Sequence, residues 1–468
     1  MAALPRLVIA GLSGESGKTL VSLALLLECR RKNIPVRAFK KGPDYIDTSW
    51  LEWAAGAPAR NLDTYLMGFD RARDSFARNA AAGGFNLVEG NRGLYDGVDA
   101  QGTHSTAELA KTLEAPVILV VNATKVTRTV AALVLGCQRL DPDVRMAGVI
   151  INQVAGARHE RVVREAVESA CGIPVLGAIP RIHGEGMLPE RHLGLVPPKE
   201  HQDCESLAGI LSSRVGACLD LDRLLEISRH VPPISSPLPI GECPDASGIT
   251  IGYLSDSAFS FYYVDNLEAL RATGAGLVPI SALAAGSLPP NLDALYIGGG
   301  FPETHAARLA ANTTFLASIR HAAASGLPVY AECGGLMYLS RAVRWRGEWF
   351  PMAGFFPFEV EVCDSPQGHG YAELLVDRAN PFFAVGTRLR GHEFHYSKIV
   401  SGGERPPTAC AVMRGAGCGE RRDAVVTGNI WAAYTHLHAL ATPEWARGIA
   451  RRAGEYRAAA NPAAPVSA

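Results

Sequence analysis

Short apolar runs separated by amphipathic stretches organise the first half of the chain. The runs Leu7–Ala10, Val36–Phe39, Phe85–Val88, Pro116–Val121 and Met146–Ile151 have the length of buried strands, and helical periodicity fills most of the gaps between them. Strands that alternate with helices predict a parallel sheet covered on both faces, the doubly wound α/β arrangement. A further helix is expected after Glu200. Residues 230–248 then break the pattern, being rich in Pro, Ser and Gly, and read as a linker. Beyond them a second α/β pattern begins at Thr250–Leu254 and continues through Ala294–Ile297 and Pro328–Ala331. The expected division is an N-terminal domain over residues 1–229, the linker 230–248, a C-terminal domain over 249–456 and a frayed Ala- and Pro-rich tail over 457–468.

Composition narrows the class. The 468 residues leave room for two or three domains, each with its own core. A formal net charge of −1 gives no bulk field for a nucleic acid or a membrane surface, so neither partner is expected. No run reaches the roughly 18 apolar residues of a membrane span, and the start has no signal-peptide pattern. The ten cysteines are scattered without a C-x-x-C pair, which argues against a zinc site or a disulfide framework and fits a reducing cytoplasm.

The first chemical signal follows the first strand. Gly11-Leu-Ser-Gly14-Glu15-Ser16-Gly17-Lys18-Thr19 leads into a helix expected from about Leu20. Glycines let backbone N–H groups face an anion, the helix N-terminus adds partial positive charge, and Lys18 reaches the outer phosphates. Gly14, Glu15, Ser16, Gly17, Lys18 and Thr19 are therefore expected to hold ATP, with the Thr19 hydroxyl on Mg²⁺. The loop is one residue longer than G-x-x-x-x-G-K-T, which resembles the dethiobiotin-synthetase-like and MinD-like branch of phosphate-loop proteins. Gly42-Pro43 ends the second strand and leaves Asp44 and Asp47 at the carboxyl edge of the sheet, and Glu89 follows Phe85–Val88. Hard oxygens there, from Asp44 and Glu89 together with Thr19, are what Mg²⁺ bridging two phosphates needs.

Three stretches carry a more specific resemblance. Phe39-Lys-Lys-Gly-Pro-Asp-Tyr-Ile-Asp47, Glu89-Gly-Asn-Arg-Gly-Leu-Tyr-Asp-Gly97 and Pro189-Glu-Arg-His-Leu-Gly-Leu-Val-Pro197 look like the signatures of cobyrinic and hydrogenobyrinic acid a,c-diamide synthases. The resemblance runs from about residue 5 to about residue 445. It implies an ATP- and glutamine-dependent amidase acting on a tetrapyrrole polycarboxylate, with self-association as a homodimer. It implies that Asn152, in Gly148-Val-Ile-Ile-Asn152, touches the adenine. It also implies that Asp47 and Asp96 lie near the acceptor and that Tyr45 stacks on, or hydrogen-bonds, the ring. Asn91-Arg92 departs from the apolar pair usual in the family. Arg92 would suit an additional acceptor carboxylate, so sirohydrochlorin, nickel-sirohydrochlorin and siroheme stay open as acceptors.

A second centre is expected in the other half. Tyr330-Ala-Glu-Cys333-Gly334-Gly335 reads as strand, sharp turn and helix with a cysteine at the turn, a nucleophile-elbow arrangement whose helix N-terminus would stabilise a thiolate. Gly298-Gly299-Gly300 upstream offers backbone amides for an oxyanion hole, completed by Gly334. His436, in Ala433-Tyr-Thr-His436-Leu-His438, supplies the general base. This half resembles a class I glutamine amidotransferase domain, with Cys333 and His436 as its catalytic pair. The acid that usually stands two residues after that histidine is missing, and His438 occupies the position. A regulatory phosphate-loop ATPase with a non-catalytic amidotransferase-like half is the reading from another class; an intact Cys333 and the lack of a signature lysine before the loop glycines speak against it.

Overall fold

The computed structural model describes residues 4–182, 190–191, 194–201, 203–235, 246–400 and 406–460. The chain forms two compact units, Met1–Ile240 and Gly241–Ala468.

In the first unit, β1 (Arg6–Gly11), β2 (Val36–Lys41), β3 (Arg60–Leu62), β4 (Phe85–Glu89), β5 (Val117–Asn122), β6 (Met146–Val154) and β7 (Val175–Pro180) make one sheet. Its order is β3-β2-β4-β1-β5-β6-β7, and every neighbouring pair is parallel. Every residue of β1 and β4 is buried, as a sheet covered by helices on both faces requires. The expected strands are present, and two of them run further than the apolar pattern did. β2 continues to Lys41 and β4 to Glu89, with Lys40 and Glu89 as register partners. These charged residues are thus held by the ladder rather than by a turn. Arg6, fully buried, donates to the carbonyls of Leu113 (2.5 Å), Leu4 (3.1 Å) and Pro232 (3.0 Å). The start of the Pro-rich stretch is therefore tied to this unit, while residues 236–245 lie outside the described residues.

The second unit carries a ten-stranded sheet. Five parallel strands, Gly276–Ile280, Thr250–Leu254, Ala294–Ile297, Val329–Glu332 and Ile430–Ala433, form one side of it. Antiparallel neighbours from Arg422–Thr427 through His436–Leu437 complete it. Tyr296, Tyr330, Trp431 and Trp445 fill the core beneath the parallel strands. The last helix, Glu444–Ala460, continues past residue 456, where the sequence had placed the start of the tail; residues 461–468 lie outside the described residues.

Candidate functional site

The phosphate loop leaves β1 and enters the helix α1 (Lys18–Arg31). Gly17 has φ 97° and Asn152 Nδ2 occupies the space a side chain would need, so only glycine fits. Asn152, expected at the adenine, braces the loop from below. Its Nδ2 donates to the Ser16 carbonyl (3.0 Å) and its Oδ1 accepts from the Gln153 N–H (2.9 Å). Lys18 folds back on the loop and donates to the Ser13 carbonyl at 2.8 Å. Burial lowers its pKa, Lys40 adds to that, and Glu89 opposes it. Gly14 and Glu15 are exposed at the crest, and Ser16 is buried with its hydroxyl 3.5 Å from Lys18 Nζ.

At the carboxyl edge, Glu89 Oε1 accepts from Thr19 Oγ1 (3.0 Å) and from Lys40 Nζ (2.7 Å). Lys40 Nζ also donates to Asp47 Oδ2 at 2.6 Å. Glu89 Oε2 is buried and has no hydrogen-bond partner among the described residues. An orphaned carboxylate oxygen beside a threonine hydroxyl fits a hard divalent cation. Asp44 Oδ1 accepts from the Asp47 N–H at 2.8 Å, and burial with Asp47 beside it pushes its carboxyl up to about 7 against the pull of Lys40. Among the described residues no three His, Cys, Asp or Glu side chains form a metal cluster.

The acceptor-side residues are distributed unevenly. Asp47 is paired with Lys40 and keeps 23% of its side chain exposed. Asp96 Oδ2 accepts from the Gly93 N–H (2.8 Å), in a loop joined to the phosphate loop by the bond from the Leu94 N–H to the Gly11 carbonyl (2.7 Å). Arg92 is exposed with φ 50°, and Tyr45 is half-buried at the start of α2 (Ile46–Ala55). Of the Pro189–Pro197 signature, Pro189, His192 and Leu193 lie outside the described residues; Glu190–Arg191 and Gly194–Leu195 pair as two short antiparallel strands, and the end is tied to α2 by the bond from Trp50 Nε1 to the Val196 carbonyl, 3.0 Å. Sequence reasoning missed Lys40. Its signals were a lysine near the end of an otherwise apolar strand and its place in the Phe39–Asp47 signature.

In the second unit, Cys333 stands between the strand Val329–Glu332 and the helix Gly334–Leu339 with φ 47° and ψ −101°, the strained turn of a nucleophile elbow. Its N–H donates to the Ala433 carbonyl at 2.7 Å. Burial pushes the Cys333 thiol far up, and Glu303 adds to that against the Gly334 N–H at the sulfur. For this thiol, burial and the nearby carboxylates thus oppose the stabilisation expected from the short helix. The thiol needs a base.

His436 is 2% exposed, and its ring stacks on His392 at 5.0 Å and 21°. Its Nδ1 lies 3.3 Å from Glu332 Oε2. Asp423 fixes the approach by accepting from the N–H groups of Tyr434 (3.0 Å) and Thr435 (3.1 Å). A methyl group on Gly299 would lie 2.6 Å from His436 Cε1, and one on Gly334 would lie 3.2 Å from the Gly300 nitrogen. Cys333, Gly334, Gly299, Gly300 and His436 thus converge. His438, which stands where the usual acid is missing, faces Asp265 (3.7 Å) and packs on Tyr263 (4.5 Å). Burial, then His436, holds His392 well below the usual imidazole range, so it is neutral. Gly299→Ala is expected to displace His436 and to lower glutamine hydrolysis about 100-fold, with little change in melting temperature; glutamate release and thermal unfolding measure the two.

A phosphate-loop domain on a doubly wound sheet, joined to a domain with a cysteine elbow, a glycine loop and a histidine base, defines a glutamine-dependent amidating ligase with ATP and glutamine as co-substrates. Residues 7–196 match the CobQ/CobB/MinD/ParA nucleotide binding domain, and residues 250–444 the CobB/CobQ-like glutamine amidotransferase domain. Cobyrinate a,c-diamide synthase of Magnetococcus marinus is 42% identical over 454 residues, 96% of this chain and 97% of that protein. The proteins of that name from Dehalococcoides mccartyi strain CBDB1 and Archaeoglobus fulgidus are 40% and 38% identical, each across 96% of this chain and 98% of their own length. The chain belongs to the cobyrinate a,c-diamide synthase family.

Proposed function

We propose that the protein converts the a- and c-carboxylates of cobyrinic acid, or of hydrogenobyrinic acid, into carboxamides during cobalamin biosynthesis. The observation that carries this is the presence of both centres in one chain whose relatives match over nearly their whole length. No helix among the described residues is long and apolar enough to cross a membrane; the cytoplasm, which supplies ATP and glutamine, is the proposed setting.

His436 takes the Cys333 proton as the sulfur attacks the side-chain amide carbon of glutamine. The N–H groups around Gly299–Gly300 and of Gly334 face the developing oxyanion. His436 returns the proton to the leaving nitrogen, ammonia departs, and water activated by His436 hydrolyses the glutamyl thioester to glutamate. In the first unit the acceptor carboxylate attacks the γ-phosphorus of ATP, giving an acyl phosphate and ADP. Lys18 and Lys40 stabilise the charge on the transferring group. Ammonia then attacks the acyl carbon and expels phosphate. Activation is needed because a free carboxylate is a poor electrophile. Mg²⁺, held by Thr19, Asp44 and Glu89, would offset the charge of the ATP phosphates.

One observation favours a second acceptor. Arg92 is exposed on the loop that touches the phosphate loop, where the family usually has an apolar residue. A guanidinium there would pair with a further carboxylate, as on sirohydrochlorin, nickel-sirohydrochlorin or siroheme. Purified protein with ATP, Mg²⁺ and glutamine, offered cobyrinic acid and sirohydrochlorin in separate reactions, decides by mass spectrometry. Two amides on cobyrinic acid support the main reading; reaction with sirohydrochlorin alone supports the second. Neither product, with ATP still hydrolysed, rejects both.

A further inference from the structure

The acid that usually orients the histidine base in a class I amidotransferase is absent from its place after His436, and His438 there is turned towards Asp265. A different carboxylate meets the imidazole. Glu332 ends the strand Val329–Glu332, one residue before Cys333, and is 0% exposed. Oε2 accepts from the Tyr296 hydroxyl (3.2 Å) and lies 3.3 Å from His436 Nδ1. Oε1 accepts from the Tyr330 hydroxyl (3.1 Å) and the Leu437 N–H (3.1 Å).

We infer that Glu332 is the positioning residue of the glutaminase centre, fixing the His436 tautomer from the strand that carries the nucleophile. The geometry leaves little freedom. The Leu437 N–H is backbone and cannot turn away, so it holds Oε1 and thereby directs Oε2 at the imidazole. Facing an oxygen that only accepts, Nδ1 must carry the proton. Nε2 is then the unprotonated nitrogen, and the Cε1–Nε2 edge is the one that faces Gly299. The lone pair therefore points towards the glycine loop where glutamine would be attacked. The sheet supplies the rigidity: Glu332 pairs with Ala433 in the ladder, and His436–Leu437 pairs with Arg388–His395. This rests on the reading of Cys333 and His436 as the glutaminase pair.

Glu332→Gln tests it because the amide cannot reproduce the carboxylate. Its NH₂ must face either the Leu437 N–H, which is a donor against a donor, or the imidazole. In the second orientation Nδ1 becomes the acceptor, the proton moves to Nε2, and the base is lost. Glutamate release, in the presence of ATP, Mg²⁺ and cobyrinic acid, is expected to lose about 100-fold in kcat with little change in KM for glutamine. Ammonium-driven amidation should stay within about twofold. Nitrogen-15 histidine spectra, assigned with a His436→Gln variant, should show Nε2 unprotonated in the native enzyme and protonated in Glu332→Gln. The native spectrum decides even if the variant does not fold: a proton on Nε2 of His436 overturns the proposal. Glutamate release unchanged in a folded Glu332→Gln protein, or ammonium-driven amidation falling in parallel, overturns the positioning role alone. Native protein that releases no glutamate overturns the glutaminase reading as well.

Discussion

Cys333→Ala is expected to lose glutamine-driven amidation by at least about 10⁴-fold while ammonium chloride still supports the reaction. The sulfur is the only atom removed, and the surrounding geometry does not depend on it. The Cys333 N–H bond to the Ala433 carbonyl is backbone, and the elbow dihedrals come from the strand and helix on either side. The residue is 6% exposed, so alanine leaves a space about one atom in size rather than a collapsed core. The melting temperature should therefore move by only a few degrees, a deletion of this size costing about 1 kcal/mol. Amide products by mass spectrometry and glutamate release separate the two reactions. Equal loss with glutamine and ammonium would mean that the thiol serves the synthetase step or the fold, and the assignment of two separate centres would fail.

Lys40→Met is expected to give the opposite pattern. Lys40 Nζ is 2% exposed and bridges Glu89, at 0%, and Asp47, at 23%. Burial alone would lower its pKa, but Asp47, Glu89 and Asp44 outweigh it and hold the ammonium charged, well above the usual lysine range. Methionine matches the length of the stem and deletes the charge. Two carboxylates then face each other across an uncompensated gap, with Asp44 already pushed up to about 7 by the crowding. Breaking a buried pair on one side costs about 3–5 kcal/mol. Over a domain of this size that corresponds to a fall of about 10 °C in melting temperature. Amidation should drop about 10²–10³-fold with either nitrogen source, because the charge proposed to stabilise the transferring phosphoryl group is gone. Glutamine hydrolysis measured without acceptor should survive, since the second unit is untouched. A stable variant with full activity would show that the Lys40 bridge is neither structural nor catalytic.

The two centres were unequally legible. Gly11–Thr19 and Tyr330–Gly335 announce themselves because a phosphate cradle and a nucleophile elbow are local: each needs particular residues within one turn of backbone, and short-range spacing records that. Glu332 was legible only as a charged residue closing an apolar strand, and its partner lies 104 residues later. The sequence showed only that the usual acid is missing two residues after His436, where His438 stands. The bond from Asn152 to the phosphate loop, across 136 residues, was equally invisible to short-range spacing.

By itself, the chain order determined the doubly wound first domain, the second α/β domain, the phosphate loop, the cysteine elbow and the class of reaction they imply. These follow from hydrophobic period and turn chemistry, which act over a few residues. The tertiary structure decided which charges meet. Ladder register sets Lys40 against Glu89, the return of the chain just after Ala433 brings His436 to Glu332, and burial pushes the Cys333 thiol up so that its attack depends on a base. Such pairings depend on how strands lie beside one another in a sheet, and on how far water is excluded from them, and neither is written in any short stretch of residues.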